Sequence, residues 1–183
     1  MKSPNTSHNL IAGYDPDATR GECWFDQEAA DRAIGFFRDC LTHVKGEMAG
    51  KPFELDNWQE DIVGTMFGWK RQDETRRYRT AYIEIPRKNG KSTLCAGLAL
   101  YMLVSDNEPG AEVYSAAAER EQASIVFDVA AQMVANEPIL RGCTKTFRKS
   151  IAVEKTASTY RVLSADAFTK HGLNASAIIF DEL

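Results

Sequence analysis

The sequence predicts an α/β fold in which helices flank a mainly parallel sheet. From about residue 80 onward, short runs of β-branched and aromatic residues alternate with longer segments of helical periodicity. This alternation is typical of strand–helix–strand units with a parallel sheet. The last run, Ala177–Phe180, has four consecutive apolar residues, as expected of a strand buried on both faces. Since the sequence stops soon after it, we expect the sheet to be incomplete.

Composition narrows the class of protein. The 183 residues are 44% hydrophobic and 26% charged, which is enough for one sizeable core. No segment approaches the ~20 apolar residues of a membrane span, and the N-terminus lacks the apolar stretch of a secretory signal. We therefore expect a cytoplasmic protein that is neither secreted nor membrane-bound. The four cysteines are widely separated and show no metal-ligand spacing, so we expect reduced thiols.

Charge is distributed unevenly along the chain. The net charge is −4, but residues 70–91 contain eight Lys/Arg against three Asp/Glu. The acidic total argues against a protein that coats nucleic acid, while the basic segment leaves room for a local polyanion site. Residues 70–79 therefore have two interpretations, a solvated loop or a contact to DNA or phosphate, and charge reversal at Arg76 and Arg77 would separate them.

The N-terminal part of the chain is predicted to be helical. Residues 1–24 have no period and are expected to form a flexible lead-in. A helix with Asp26 as its N-cap is expected to reach about Val44, and a second is expected to run from Asp56 to near Gly68. These helices make residues 25–78 an N-terminal region that precedes a core of residues 79–183.

The core is predicted to alternate strands and helices. The pair 151–153 and 160–163 is short enough to form a hairpin-like insertion. The other expected elements, in order, are a strand at Ala81–Ile85, a helix at Thr93–Val104, a strand at Ala111–Ala116, a helix at Glu119–Ala135 and the strand at Ala177–Phe180.

Residues 86–93, PRKNGKST, lie between a predicted strand and a predicted helix, where backbone N–H groups and the helix dipole favour a phosphate. Lys91 would reach the β and γ phosphates, Ser92 would enter a Mg²⁺ shell, and Gly90 would allow close approach. Ile85 stands where the full phosphate-loop pattern has its first glycine, so an accidental Gly-Lys-Ser after a basic turn stays open. The candidate nucleotide-binding residues are Arg87, Lys88, Asn89, Gly90, Lys91, Ser92 and Thr93.

Two carboxylates follow the last apolar run. Asp181 would lie at the carboxyl edge of the sheet and hold Mg²⁺, and Glu182 would polarise a water for attack on the γ phosphate. A strand that runs into an acidic turn is the plain alternative. Because the pair follows the phosphate loop by about ninety residues, in the order of Walker A and Walker B, the two motifs together predict an ATPase. Its class is the P-loop NTPase fold with an additional strand and a catalytic glutamate.

These residues resemble the large terminase subunits of tailed phages, in particular the cohesive-end branch. Terminases typically lack the first Walker A glycine and carry an arginine in the loop, which fits Ile85 and Arg87. The resemblance extends over about residues 52–183. Its four segments are 55–59 (LDNWQ), 79–92 (RTAYIEIPRKNGKS), 114–123 (YSAAAEREQA) and 172–176 (GLNAS).

The resemblance implies roles for individual residues. Gln59 would read adenine, and Arg87 would sense or stabilise the γ phosphate. Lys91 would contribute to catalysis, and the bound cofactors would be ATP and Mg²⁺. Ser92 and Asp181 would be the metal-binding residues. For Gln59, a polar residue in the first turn of a helix is the alternative, and a Gln59→Ala variant with unchanged ATP-over-GTP preference would favour that alternative.

The resemblance also implies partners. Family members form homo-oligomeric rings at the procapsid portal protein in the host cytoplasm, receive DNA from a small terminase subunit and translocate double-stranded DNA. They cut DNA with a separate C-terminal nuclease domain. That domain has no counterpart in this sequence, so no nuclease activity is expected of it.

Two rival functions remain open on the residues alone. A helicase or another nucleic-acid-dependent P-loop ATPase shares the Asp-Glu pair and would differ in residues beyond 183. A truncated prophage remnant that acts only as an interaction module would bind a partner without hydrolysing ATP.

Overall fold

The computed structural model describes residues 15–117, 120–163 and 173–181. The chain forms two compact units. The first combines Met1–Gly35 with Glu54–Glu84, and the second combines Phe36–Phe53 with Ile85–Leu183. No helix in the described ranges is long and apolar enough to cross a lipid bilayer.

The first unit packs the beginning of helix α1 (Gln27–Cys40) and helix α2 (Asn57–Gly68) with a short ribbon. In this ribbon, β1 (Trp24–Phe25) pairs antiparallel with β2 (Trp69–Lys70). The Phe25 and Trp69 rings meet edge to face, with centroids 5.6 Å apart.

Both N-terminal helices begin where their capping residues predict. The Asp26 carboxylate accepts the Ala29 N–H at 3.0 Å, which satisfies a donor that has no intrahelical partner. At the start of α2, the Asp56 N–H donates to the Gln59 side-chain oxygen at 2.9 Å, as in a capping box. Helix α1 ends at Cys40 rather than near residue 44.

The second unit contains a five-stranded sheet in the order β4-β5-β6-β3-β7. Strand β3 pairs parallel with both β6 and β7, whereas the β4–β5 and β5–β6 pairs are antiparallel. The described sheet is therefore mixed rather than mainly parallel. The predicted hairpin exists as β5 and β6, but β6 joins the main sheet instead of forming an insertion. The strands are β3 (Glu112–Ala116), β4 (Lys145–Phe147), β5 (Ser150–Val153), β6 (Ser158–Val162) and β7 (Ala177–Phe180).

Three helices complete this unit: α3 (Lys91–Val104), α4 (Arg120–Asn136) and α5 (Pro138–Cys143). Helices α3 and α4 pack against each other and against β3 and β6. One fully buried row crosses the sheet through Val113 on β3, Tyr160 on β6 and Ile151 on β5. Tyr160 also contacts the Phe127 ring of α4. The helices predicted at 93–104 and 119–135 are confirmed, whereas α5 and β4 were not predicted.

Two predictions about strands are wrong. Residues 81–86 belong to no helix, strand or turn and pair with no described strand, and Tyr82 is 77% exposed. A strand needs a neighbour for its N–H and C=O groups, so local composition alone cannot make one. In β7, Ile178 and Phe180 are 37% and 47% exposed, so this strand is not buried on both of its faces.

Candidate functional site

The predicted phosphate loop is an exposed turn whose shape is set by its own residues. Lys88 and Gly90 adopt left-handed backbone conformations, with φ of 69° and 73°. The Asn89 side-chain amide donates to the Pro86 carbonyl at 3.1 Å. A left-handed lysine is uncommon, because its Cβ crowds the backbone in this conformation. The amide bond within the loop helps to hold that turn.

Helix α3 begins directly after the loop. Gly90 is its N-cap, and the Leu94 N–H donates to the Gly90 carbonyl at 2.9 Å. The first N–H groups of a helix have no intrahelical acceptors, and the helix dipole gives this end a partial positive charge. The loop and helix of the predicted motif are therefore present, although the strand before them is not.

Residues from the two predicted motifs meet at one carboxylate. The Lys91 ammonium lies 3.0 Å from Oδ1 of Asp181, and the Ser92 hydroxyl donates to Oδ2 at 3.0 Å. Asp181 follows β7, and its N–H donates to the Ala116 carbonyl at the end of β3 at 3.2 Å. Because β3 and β7 are parallel, their carboxyl ends share one edge of the sheet, and Asp181 lies there beside the start of α3.

The surroundings of Asp181 suit a cation. The Asp181 side chain is only 8% exposed. Its Oδ1 atom is the ion-pair partner of Lys91 but accepts no hydrogen bond from the described residues. A buried carboxylate oxygen with remaining acceptor capacity, next to the Ser92 hydroxyl, supplies the hard oxygen ligands that Mg²⁺ prefers. Magnesium in nucleotide sites uses one or two protein groups besides phosphate oxygens and water, so this pair is a sufficient set.

Cys95 is a neighbour of the site that the sequence did not single out. It lies four residues after Lys91 on α3, and burial, followed by the Asp181 charge, raises the pKa of its thiol to about 12. The thiol is therefore neutral at physiological pH. The i, i+4 spacing from Lys91 was the available signal, since such residues share a helix face.

The remaining loop residues are placed less specifically. Arg87 and Lys88 are exposed in the turn, and Thr93 is half-buried in the first turn of α3. Glu182, the predicted catalytic base, lies outside the described residues.

Gln59 belongs to the first unit and is 4% exposed. Its side-chain oxygen already accepts the Asp56 N–H as part of the cap of α2. The structure thus gives Gln59 a local role, which the spacing of Asp56 and Gln59 could have indicated.

Arg77, in the basic segment, is a structural residue. Its guanidinium donates to the Pro16 carbonyl at 2.9 Å and the Thr19 carbonyl at 2.6 Å, and it lies over the rings of Trp69 and Tyr78 at 4.9 Å and 5.0 Å. Charge reversal at Arg77 would disturb this packing, so it is a poor test of DNA contact.

Comparison with known proteins gives one consistent result. Residues 57–183 match the family model of the terminase large subunit, ATPase domain. The large terminase subunit of Enterobacteria phage HK97 is 33% identical over 156 residues, which cover 83% of this chain and 30% of that protein. The crystal structure of the HK97 bacteriophage large terminase matches this structure with a TM-score of 0.70 and 30% sequence identity. The match covers 84% of this chain and 31% of the HK97 chain. The chain spans about a third of the length of these relatives. It belongs to the terminase large-subunit family, and residues 57–183 correspond to the family's ATPase domain.

Proposed function

We propose that this chain is the Mg²⁺-dependent ATP-binding and ATP-hydrolysing part of a viral DNA-packaging motor. The observation that carries the proposal is that Lys91 and Ser92 each contact the Asp181 carboxylate at 3.0 Å, although Asp181 lies about ninety residues later in the sequence. A structural ion pair alone would not require a glycine-capped helix start and a serine hydroxyl on the same carboxylate.

Each residue has a distinct task in this proposal. The triphosphate gives the Lys91 ammonium a second anionic partner, and the exposed loop and the start of α3 supply N–H donors for it. Ser92 and Asp181 would hold Mg²⁺, which neutralises phosphate charge when bound. Glu182, the next residue in the chain, would accept a proton from the attacking water. Arg87 lies in the loop and would stabilise charge on the γ phosphate.

Gln59 would read adenine with its amide group while its oxygen caps α2. We infer that the cap fixes the rotamer of the side chain, because the bond to the Asp56 N–H holds its end in place. The proposal therefore assigns Gln59 both tasks, and they can be tested separately.

The partners of the full-length protein are also proposals. We propose that it acts on double-stranded viral DNA in the host cytoplasm, at a procapsid portal, with a small terminase subunit and as a homo-oligomeric ring. Family membership supports these partners over a helicase or an inert remnant.

The first test is Mg²⁺–ATP affinity of the wild type beside Lys91→Ala, by calorimetry, with circular dichroism as the folding control. A charged hydrogen bond contributes ~1.5–3 kcal/mol, so the variant should bind roughly 10- to 100-fold more weakly. Lys45→Ala, which changes an exposed lysine outside the loop, should bind like the wild type. A folded wild type that binds no ATP would overturn the proposal.

The second test compares Gln59→Glu with Gln59→Ala for ATP and GTP binding. Glutamate at this helix position can still accept the Asp56 N–H, so it preserves the cap but removes the amide donors. Adenine reading predicts that Gln59→Glu loses the preference of the wild type for ATP over GTP. An unchanged preference in both variants would leave Gln59 as a capping residue alone.

A further inference from the structure

The segment that contains the sheet edge opposite β7 is strongly basic. Between residues 141 and 161 there are six Lys/Arg and one Asp/Glu, a net charge of +5 in a chain whose total is −4. We call the surface formed by these residues the basic edge. Its cations are Arg141, Lys145, Arg148, Lys149, Lys155 and Arg161.

The hairpin of β4 and β5 presents half of these cations to solvent: Lys145, Arg148 and Lys149. Phe147 pairs with Ser150, so Arg148 and Lys149 form a two-residue turn, and both are exposed. Every residue of β4 is exposed as well. The one acidic residue, Glu154, is paired with Lys145 at 2.5 Å, so the excess charge lies on the other five cations.

The basic edge also carries an aromatic side chain. Phe147, Ser150 and Arg161 lie in one row across β4, β5 and β6 and share a sheet face, because each pair is in direct register. The neighbouring row contains Ile151 and Tyr160, which point to the opposite, buried face. Phe147 is 56% exposed, and strand spacing places it about 10 Å from Arg161, with a small serine between them.

Charge on an outer strand has a simpler explanation, which is protection against pairing with another chain. That explanation accounts for the lysines and arginines but not for Phe147, because an exposed aromatic residue on an edge strand promotes association. Cations around an exposed aromatic ring instead suit a polyanion that also has apolar surface. Nucleic acid is such a ligand, since its phosphates contact Lys and Arg and its sugars and bases contact aromatic rings.

We propose that the basic edge binds the sugar–phosphate backbone of double-stranded DNA. Arg148, Lys149 and Arg161 contact phosphates, and Phe147 packs against the sugars between them. The inference rests on the proposed function, because it names the surface by which the motor's ATPase part meets its DNA.

The test is the binding of the 183-residue chain to a fluorescent 30-base-pair duplex of mixed sequence, by anisotropy over a salt series. Each lost phosphate contact lowers the slope of log affinity against log salt by about 0.9, so Arg148→Ala/Lys149→Ala should lower it by about 2. Affinity at low salt should fall at least about tenfold. The control Arg32→Ala/Lys45→Ala removes the same charge from exposed positions outside the edge and should match the wild type.

Phe147→Ala gives an independent readout. It removes apolar contact and no charge, so it should weaken binding while leaving the salt slope unchanged. The inference would be overturned if Arg148→Ala/Lys149→Ala had the same salt slope as the wild type. It would also be overturned if the control variant lost as much affinity for the duplex as Arg148→Ala/Lys149→Ala does. The inference would also be overturned if polyglutamate displaced the labelled duplex as well as unlabelled duplex does. Tighter binding of single-stranded DNA than of the duplex would overturn it too.

The ATP measurement keeps the two proposals distinguishable. If the wild type binds Mg²⁺–ATP in a Lys91-dependent way but does not bind the duplex, the basic edge inference fails and the ATPase proposal stands. If the basic edge variant loses DNA binding and keeps the ATP affinity of the wild type, the inference is supported.

Discussion

Replacement of Gly97 by alanine tests how tightly α3 packs against the end of α1. A Cβ at this position would lie 2.3 Å from Cε1 of Phe37 and 3.0 Å from Cδ1 of Leu41. The Phe37 ring cannot easily move away, because it is fully buried and meets the Phe53 ring edge to face at 5.4 Å. The substitution therefore forces a shift of packed groups in the helix that begins with Lys91.

Two effects of opposite sign decide the outcome. Alanine is favoured over glycine in a helix interior by about 1 kcal/mol. Overpacking of a filled core costs ~1–3 kcal/mol, and a gap of 2.3 Å is far inside van der Waals contact, so the upper part of that range applies. We expect Gly97→Ala to lower the free energy of unfolding by about 1–2 kcal/mol after the helix gain is subtracted.

Gly64 provides the matched control. It is also inside a helix and buried, but a Cβ there would meet only Cδ1 of Ile34 at 3.4 Å and Cβ of Ala30 at 3.9 Å, which is ordinary contact. Gly64→Ala should therefore be neutral or stabilising by up to about 1 kcal/mol. Urea unfolding followed by circular dichroism measures both variants. If Gly97→Ala were as stable as Gly64→Ala, the close packing of Phe37 on α3 would be refuted.

Two further predictions concern Cys95 and Arg77. Burial raises the folded-state pKa of Cys95 to about 12 from 9.0, so the unfolded thiol ionises first and stability falls as pH rises above about 9. Between pH 8 and pH 10, the free energy of unfolding measured with urea should fall by roughly 1.4 kcal/mol more for the wild type than for Cys95→Ala. Equal falls in the two proteins would contradict the burial of the Cys95 thiol. Arg77→Lys keeps the charge but cannot reproduce the hydrogen bonds to the Pro16 and Thr19 carbonyls. It should lower the free energy of unfolding by about 1–2 kcal/mol and speed tryptic cleavage at Arg20. Unchanged cleavage would show that Arg77 does not hold this segment.

Local signals in the sequence predicted the helices well and the strands less well. Asp26 and Asp56 mark helix starts because a cap acts within a few residues of the chain. The segment 81–85 has strand composition but no described partner, and pairing is a property of residues distant in sequence. Strand β4 and helix α5 were missed because they contain only three and six residues, too few for a periodic pattern.

The meeting of the two motifs was more predictable than the sheet that supports it. Lys91, Ser92 and Asp181 could be chosen by residue type and order, because phosphate and Mg²⁺ chemistry restricts which side chains are useful. The ion pair between Lys91 and Asp181 and the burial of Cys95 depend on the packing of β7 beside α3, which the sequence does not encode locally. The cap formed by Gln59 was readable from its spacing to Asp56, whereas adenine reading by Gln59 stays a prediction of the resemblance.

Equal charge in two segments does not make them equal candidates for binding DNA. Residues 70–91 and 141–161 each have a net charge of +5. In the first segment, Arg76 and Arg77 lie over the rings of Phe67 and Trp69, and Lys91 pairs with Asp181, so much of this charge serves packing and the nucleotide site. In the second, Lys145, Arg148 and Lys149 lie on an exposed hairpin at the sheet edge, beside an exposed phenylalanine. Geometry therefore favours the second segment, although the charge counts of the two are equal.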